Sequence, residues 1–220
     1  MLEKSKKIDR ILLALNTRIV VSRILSTMTA YSLGNAYTIN AVTGRLLGVP
    51  FIESPNADER PAGVLPELIV VHGISLPPNQ FGGDAVEQLF TNQLNPDEDP
   101  FFKEIEHLTV SAHLFIRRNG DVVQYVPFDQ RAWHAGCSCF KGRERCNDFS
   151  VGIELEGTDD TCYTASQYQS LAGVIKALWR TYPSLQAHEV VGHCDIAPNR
   201  KSDPGPYFLW SALERLLEGA

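Results

Sequence analysis

The sequence predicts an α/β fold, a single domain whose central mixed β-sheet is flanked by helices. Three observations predict it. The aliphatic run Leu68-Ile-Val-Val71 is bounded by turn residues and has the length of a buried strand. Two alternating stretches meet at Asn119-Gly120, the pair that favours a tight hairpin. An apolar stripe from Tyr168 to Trp179 repeats at helical spacing between two strand-like segments, the pattern of strand–helix–strand units.

The elements follow in order. Pro50 to Pro66 is rich in Pro, Asn and Asp and separates the first segment from the strand, which ends on His72. Gly73–Gly83 is a loop by composition. Asp84, with Glu87 three residues on, has capping-box spacing and predicts a short helix through Phe90. After the loop Asn92–Pro100, Phe101–His107 reads as a second helix. His113–Arg118 and Asp121–Val126 form the hairpin, and a polar loop runs from Asp129 to Phe149. In Ser150–Gly157, Val151, Ile153 and Leu155 face one way; Gly152, Glu154 and Glu156 face the other. Two carboxylates on one side of a strand are either solvated or at work. Thr164 and Gln167 form a capping box for the helix carrying Tyr168, Leu171, Ile175, Leu178 and Trp179. A strand at Val190-Val191 leads into Gly192-His193, and a last amphipathic helix covers Tyr207–Leu217.

At 220 residues the chain fits one domain with an appendage, long enough to bury roughly 70% of its unfolded surface. Hydrophobic content of 44% and charged content of 21% exclude wholesale disorder and a coiled coil. No apolar stretch approaches the length of a membrane span. A net charge of −6 speaks against a nucleic-acid partner. That charge is unevenly spread: residues 1–40 hold six basic and two acidic side chains, and the rest hold 14 and 24. Residues 1–38 therefore read as a basic extension outside the core, with 39–220 as the domain and a start at Met28 as an alternative. The extension lacks the unbroken apolar run of a secretory leader, because Asn16-Thr-Arg18 and Ser22-Arg23 interrupt it. Five cysteines at irregular spacing (137, 139, 146, 162 and 194) fit reduced thiols better than a disulfide framework or a zinc knuckle. The missing leader and the reduced thiols point to a cytoplasmic protein, and a monomer is expected.

Among six histidines, His72 and His193 stand out because each follows consecutive aliphatic residues where a strand meets a loop. Ligand sites in α/β sheets lie at that end of the strands. Two histidines with one further donor would make an open zinc site with a place for water. Two residues compete for that third position. Cys194 adjoins His193, but neighbours on an extended chain point apart. Asp203, ten residues on, can be brought back by a loop and is preferred.

The runs Val70-Val-His-Gly-Ile-Ser-Leu-Pro-Pro78, Phe81-Gly-Gly83, Val110-Ser-Ala-His113, Gln124-Tyr-Val-Pro-Phe128, Arg131-Ala-Trp-His-Ala-Gly136, Gly142-Arg-Glu-Arg-Cys-Asn-Asp148, Gly152-Ile-Glu-Leu-Glu-Gly157, Gly192-His193, Ile196-Ala-Pro198 and Lys201-Ser-Asp-Pro-Gly-Pro206 carry a resemblance. In order and over residues 40–217, they resemble the zinc-dependent N-acetylmuramoyl-L-alanine amidases, relatives of the peptidoglycan recognition proteins. Within that family they are most similar to the cytoplasmic amidases that act on 1,6-anhydro-muramyl peptides in cell-wall recycling. The resemblance implies Zn²⁺ held by His72, His193 and Asp203, a catalytic Glu154, a basic Lys201 beside the ion, and a muropeptide substrate. One departure is visible, since the family's His-Asn is His72-Gly73 here.

Amide hydrolysis independently needs such parts. Zn²⁺ with three protein ligands lowers the pKa of bound water to about 7. A carboxylate takes and returns the proton, and positive charge meets the developing oxyanion. Glu156 shares the face of Glu154 and is the alternative base. For His134, a candidate ligand by residue type, the resemblance implies a pocket wall or a structural hydrogen bonder. With Trp133 it is a candidate substrate contact, His113 reads as structural, and Arg145 as either a fork for a stem-peptide carboxylate or a solvated surface arginine. Rival functions are the same reaction on intact wall in the periplasm, and a non-catalytic peptidoglycan-binding module.

Overall fold

The computed structural model describes residues 37–185 and 189–218, and in it the aliphatic run becomes the second of five strands. Two short pairs open the chain, β1 (Ile39–Asn40) against β2 (Arg45–Leu46), then β3 (Ala57–Glu59), which joins β7 below. β4 is Leu68–Ile74. Helices α1 (Ala85–Phe90) and α2 (Pro100–Ile105) follow, then the hairpin of β5 (Leu114–Ile116) and β6 (Val122–Gln124). β7 (Gln130–Ala132), β8 (Cys139–Phe140), β9 (Arg143–Glu144) and a 3₁₀ turn, Cys146–Asp148, occupy the segment expected to be loop. β10 (Ser150–Glu156), α3 (Ala165–Thr181), β11 (Val190–Gly192), α4 (His193–Ile196) and α5 (Trp210–Glu218) complete it.

The five-stranded sheet has the order β11-β4-β10-β5-β6, parallel throughout except for the hairpin strand β6. This is the mixed sheet the sequence predicted. Strands covered on both faces become continuously apolar, which is why residues 68–71 do not alternate. Ile69, Val71, Val151, Ile153 and Leu155 are wholly buried, each contributing about 1.5–3 kcal/mol through burial. The other side of β10 is covered too. Glu156 is buried, and its carboxylate accepts the N–H groups of Gly82 and Arg118.

The helices differ in how their ends are satisfied. α3 has the predicted capping box, with Thr164 Oγ1 accepting from Gln167 N–H and Gln167 Oε1 from Thr164 N–H. α1 forms as expected, but Asp84 makes no capping bond; its carboxylate instead faces Arg117 at 3.6 Å. Cross-chain charge attraction has replaced the local cap. In the hairpin, Arg117 N–H donates to Asp121 O, and Gly120 takes the left-handed conformation that its missing Cβ permits. α5 begins at Trp210, three residues later than predicted, because residues 206–208 form a turn in which Phe208 N–H donates to Gly205 O.

Tyr37 and Thr38 are tied to the domain: Arg180 donates to Tyr37 O, and Leu47 N–H to Thr38 O. The rest of the expected extension, Met28 included, lies outside the described residues, as does His188. No helix among the described residues is long and apolar enough to cross a membrane.

Candidate metal centre and active site

Three adjacent parallel strands deliver the site at their carboxyl ends. The β4–β10 register pairs His72 directly with Glu154. β11, on the other side of β4, ends at Gly192, and His193 opens the helical turn α4. The Asp195 carboxylate accepts Gly192 N–H at 2.7 Å and fixes that turn. Asp203 returns to the same place because Cys194 N–H donates to its carbonyl at 3.0 Å. Tyr163 Oη donates to the next carbonyl, Pro204 O, also at 3.0 Å. Gly73, the departure noted in the sequence, leaves free the space that the Tyr163 hydroxyl fills.

His72 Nδ1 lies 3.0 Å from His193 Nδ1, and Asp203 Oδ2 lies 3.2 and 3.1 Å from them. A tetrahedral ion with ligands at about 2.0–2.1 Å requires edges of about 3.3 Å, close to this triangle. The chemistry of the donors fits a cation as well. His193 Nε2 faces the Ala135 carbonyl at 3.2 Å. A carbonyl only accepts, so the proton is on Nε2 and Nδ1 offers a lone pair. His72 turns its Nε2 to His134 Nδ1 at 2.8 Å. Two buried imidazoles and a carboxylate thus converge, an arrangement that favours a divalent ion at its centre.

Burial pushes His72 down to about 4, against the pull of Asp203, so its ring is neutral and able to ligate. Burial alone would raise Asp203, but its hydrogen bonds to His193 and His72 hold it far below the usual carboxylate range. Glu154 is the opposite case: burial, aided by the Asp203 charge, raises it well above that range, while Lys201 opposes. Its Oε1 is 3.9 Å from His72 Nδ1, and its buried Oε2 has no hydrogen-bond partner. Glu154 therefore keeps one carboxylate oxygen near the triad and the other buried without a partner, an arrangement that suits proton transfer better than structural hydrogen bonding.

A cavity of about 490 Å³ reaches the His193 and Asp203 members of the triad; Glu154, Lys201 and His134 also line it, together with the apolar Leu89, Phe90, Phe101, Ile105, Leu108 and Val110. Trp133 and Arg145 do not line it. Trp133 Nε1 donates to Asp58 Oδ1 at 3.1 Å, and Arg131 bridges Asp58 and Asp148. The exposed Arg145 binds Asp148 at 3.1 Å. Hydrogen bonding to Arg131 holds the Asp58 carboxylate low. Cys194 stands outside the triad, in a helical turn rather than the extended chain assumed for it.

His113 is fully buried, its Nδ1 accepting Gly152 N–H and its Nε2 donating to Gln130 O. Sequence reasoning missed Arg60, which is largely buried and donates to the carbonyls of Asn147, Asp148, Phe128 and Ser150. It also missed the outward partners of the ligands, Ala135 O and Tyr163. The motif run Arg131–Gly136 contains Ala135, whereas Arg60 and Tyr163 lie outside every run and gave no signal.

Comparison with known proteins bears on this geometry. The family described as N-acetylmuramoyl-L-alanine amidase matches residues 62–206. The 1,6-anhydro-N-acetylmuramyl-L-alanine amidase AmpD of Escherichia coli (strain K12) is 58% identical over 174 residues, 79% of this chain and 94% of that protein. The protein of that name from Haemophilus influenzae is 51% identical, covering 72% and 86%. A crystal structure of a selenomethionine derivative of AmpD superposes with a TM-score of 0.79 at 54% identity, over 81% of this chain and 98% of that one. AmpDh3 from Pseudomonas aeruginosa in complex with anhydromuramic pentapeptide gives 0.52 at 29% identity, over 69% and 59%.

Proposed function

The chain belongs to the N-acetylmuramoyl-L-alanine amidase family, and from that premise we propose that it is a zinc-dependent hydrolase of cytoplasmic cell-wall recycling. Its reaction cuts the amide between the lactyl group of 1,6-anhydro-N-acetylmuramic acid and the L-alanine of a muropeptide. The observation that carries this reading is a His72–His193–Asp203 triad beside Glu154, whose buried Oε2 has no partner, with His193, Asp203 and Glu154 lining one cavity.

His72, His193 and Asp203 would hold the ion. When bound there, Zn²⁺ supplies Lewis acidity and a water acidic enough to act near neutrality. Glu154 takes the proton of the attacking water and returns it to the alanine nitrogen as the C–N bond breaks, since one carboxylate faces both. The Lys201 ammonium, lining the same cavity, brings positive charge to the scissile carbonyl oxygen as it becomes negative. Trp133 and Arg145, joined through Asp58, Arg131 and Asp148, lie outside the cavity lining and would meet sugar or stem peptide only where the substrate extends beyond it.

The test is incubation of zinc-loaded protein with anhydro-muramyl tripeptide and, separately, with intact sacculi. Free tripeptide from the first alone supports recycling. Release from sacculi replaces that reading with wall cleavage, and release from neither overturns the assignment.

A further inference from the structure

We propose that His134 and Ser150 are positioning residues: together they set the tautomer of His72 and so direct its Nδ1 lone pair at the cation. The inference rests on the metal reading above but concerns residues outside the triad.

Hydrogen-bond polarity is set at the far end of this chain of contacts. Ser150 Oγ is 2.6 Å from the Cys146 carbonyl, which can only accept, so the hydroxyl proton points there. Ser150 Oγ is then an acceptor for its other neighbour, His134 Nε2, at 3.0 Å. That places the His134 proton on Nε2 and leaves His134 Nδ1 bare. A bare His134 Nδ1 at 2.8 Å accepts the Nε2 proton of His72, whose Nδ1 then faces His193 and Asp203 without one. Reversing any link sets two protons or two lone pairs against each other inside a buried chain. One main-chain carbonyl thus decides the protonation of a ligand three groups away.

The surroundings hold this chain in place. Gly152 supplies the room, because a Cβ there would overlap the His134 ring. Asn147 Oδ1 accepts the N–H groups of both His134 and Ala135, at 3.1 and 2.7 Å. The same dipeptide therefore serves both histidine ligands, His72 through the His134 ring and His193 through Ala135 O. Such outer partners orient metal-binding imidazoles and fix which nitrogen is free.

The direct test is nitrogen-15 NMR of the full chain labelled at histidine, with and without Zn²⁺. His134 is expected as the neutral tautomer protonated at Nε2 in both states; a proton on Nδ1 overturns the inference. Chelator competition for Zn²⁺ is the second readout. Ser150→Ala should weaken binding roughly 10–100-fold, and Ser150→Thr, which keeps the hydroxyl, should restore it. His134→Phe should weaken it likewise and shift the visible spectrum of the Co²⁺ form. Folded Ser150→Ala and His134→Phe proteins that hold Zn²⁺ within twofold of the parent overturn the inference and leave the zinc reading intact. A parent chain that binds no Zn²⁺ overturns both.

Discussion

The two halves of the centre are built differently. His72 and Glu154 sit opposite each other on neighbouring parallel strands, locked by a seven-residue register and a buried aliphatic core. His193, Lys201 and Asp203 lie beyond the last β-strand, where the chain is held by a few individual bonds: Asp195 to Gly192, Cys194 to Asp203, Tyr163 to Pro204. The strand half owes its geometry to repetition, in which no single side chain decides placement. The other half owes it to named tethers, each of which can be removed alone. Substitutions on the first should alter chemistry, and tether substitutions on the second should alter how firmly the ion is held.

Removing a ligand is the largest perturbation and ignores the distinction. Asp203→Ala should dialyse free of zinc and lose amide hydrolysis entirely, as measured by elemental analysis and product release. Glu154→Gln separates the halves. It should keep stoichiometric zinc while kcat falls by about 10²–10⁴-fold; loss of the ion with the activity would show that Glu154 supports the site rather than the reaction. Tyr163→Phe removes one tether and nothing catalytic. Zinc affinity should drop by about 10-fold with kcat at saturating zinc little changed, whereas an unaltered affinity would make the loop half as self-sufficient as the strands.

A separate effect, on stability rather than on the ion or the reaction, belongs to the sheet itself. Burial, with Arg60 beside it, pushes His113 down to about 3. An unfolded chain protonates this ring near 6.5 and the folded one does not, so stability is complete above that pH. It is then lost as pH falls from about 6.5 toward 3, at about 1.4 kcal/mol per unit for this group. Thermal unfolding followed across that range should show the decline, and His113→Asn should make it shallower, the buried His72 and His134 still contributing in the same direction.

Much of this was legible in the sequence because it is periodic or punctuated. The aliphatic run before His72, the alternation from Ser150 and the Thr164 capping box each declare an element locally. The ends of those strands then mark where His72, His193 and Glu154 belong. Other features carry no local signal. Asp84 has the spacing of a cap but pairs with Arg117 across the fold, and Arg60 is only one arginine until its four carbonyl partners are assembled. Glu154 and Glu156 are equivalent by alternation. Only three-dimensional contacts separate them, with two backbone donors on Glu156 and none on Glu154 Oε2.

The separation of the ligands along the chain has a consequence for thermal behaviour. His72 and Asp203 are 131 residues apart, and an ion gripped by both closes a loop of that length. In the chain-entropy picture, a cross-link around a loop of about 100 residues removes disorder from the unfolded chain worth nearly 5 kcal/mol. The cation would then act as a clasp between early and late stretches of the polypeptide, and holoprotein and apoprotein should melt many degrees apart.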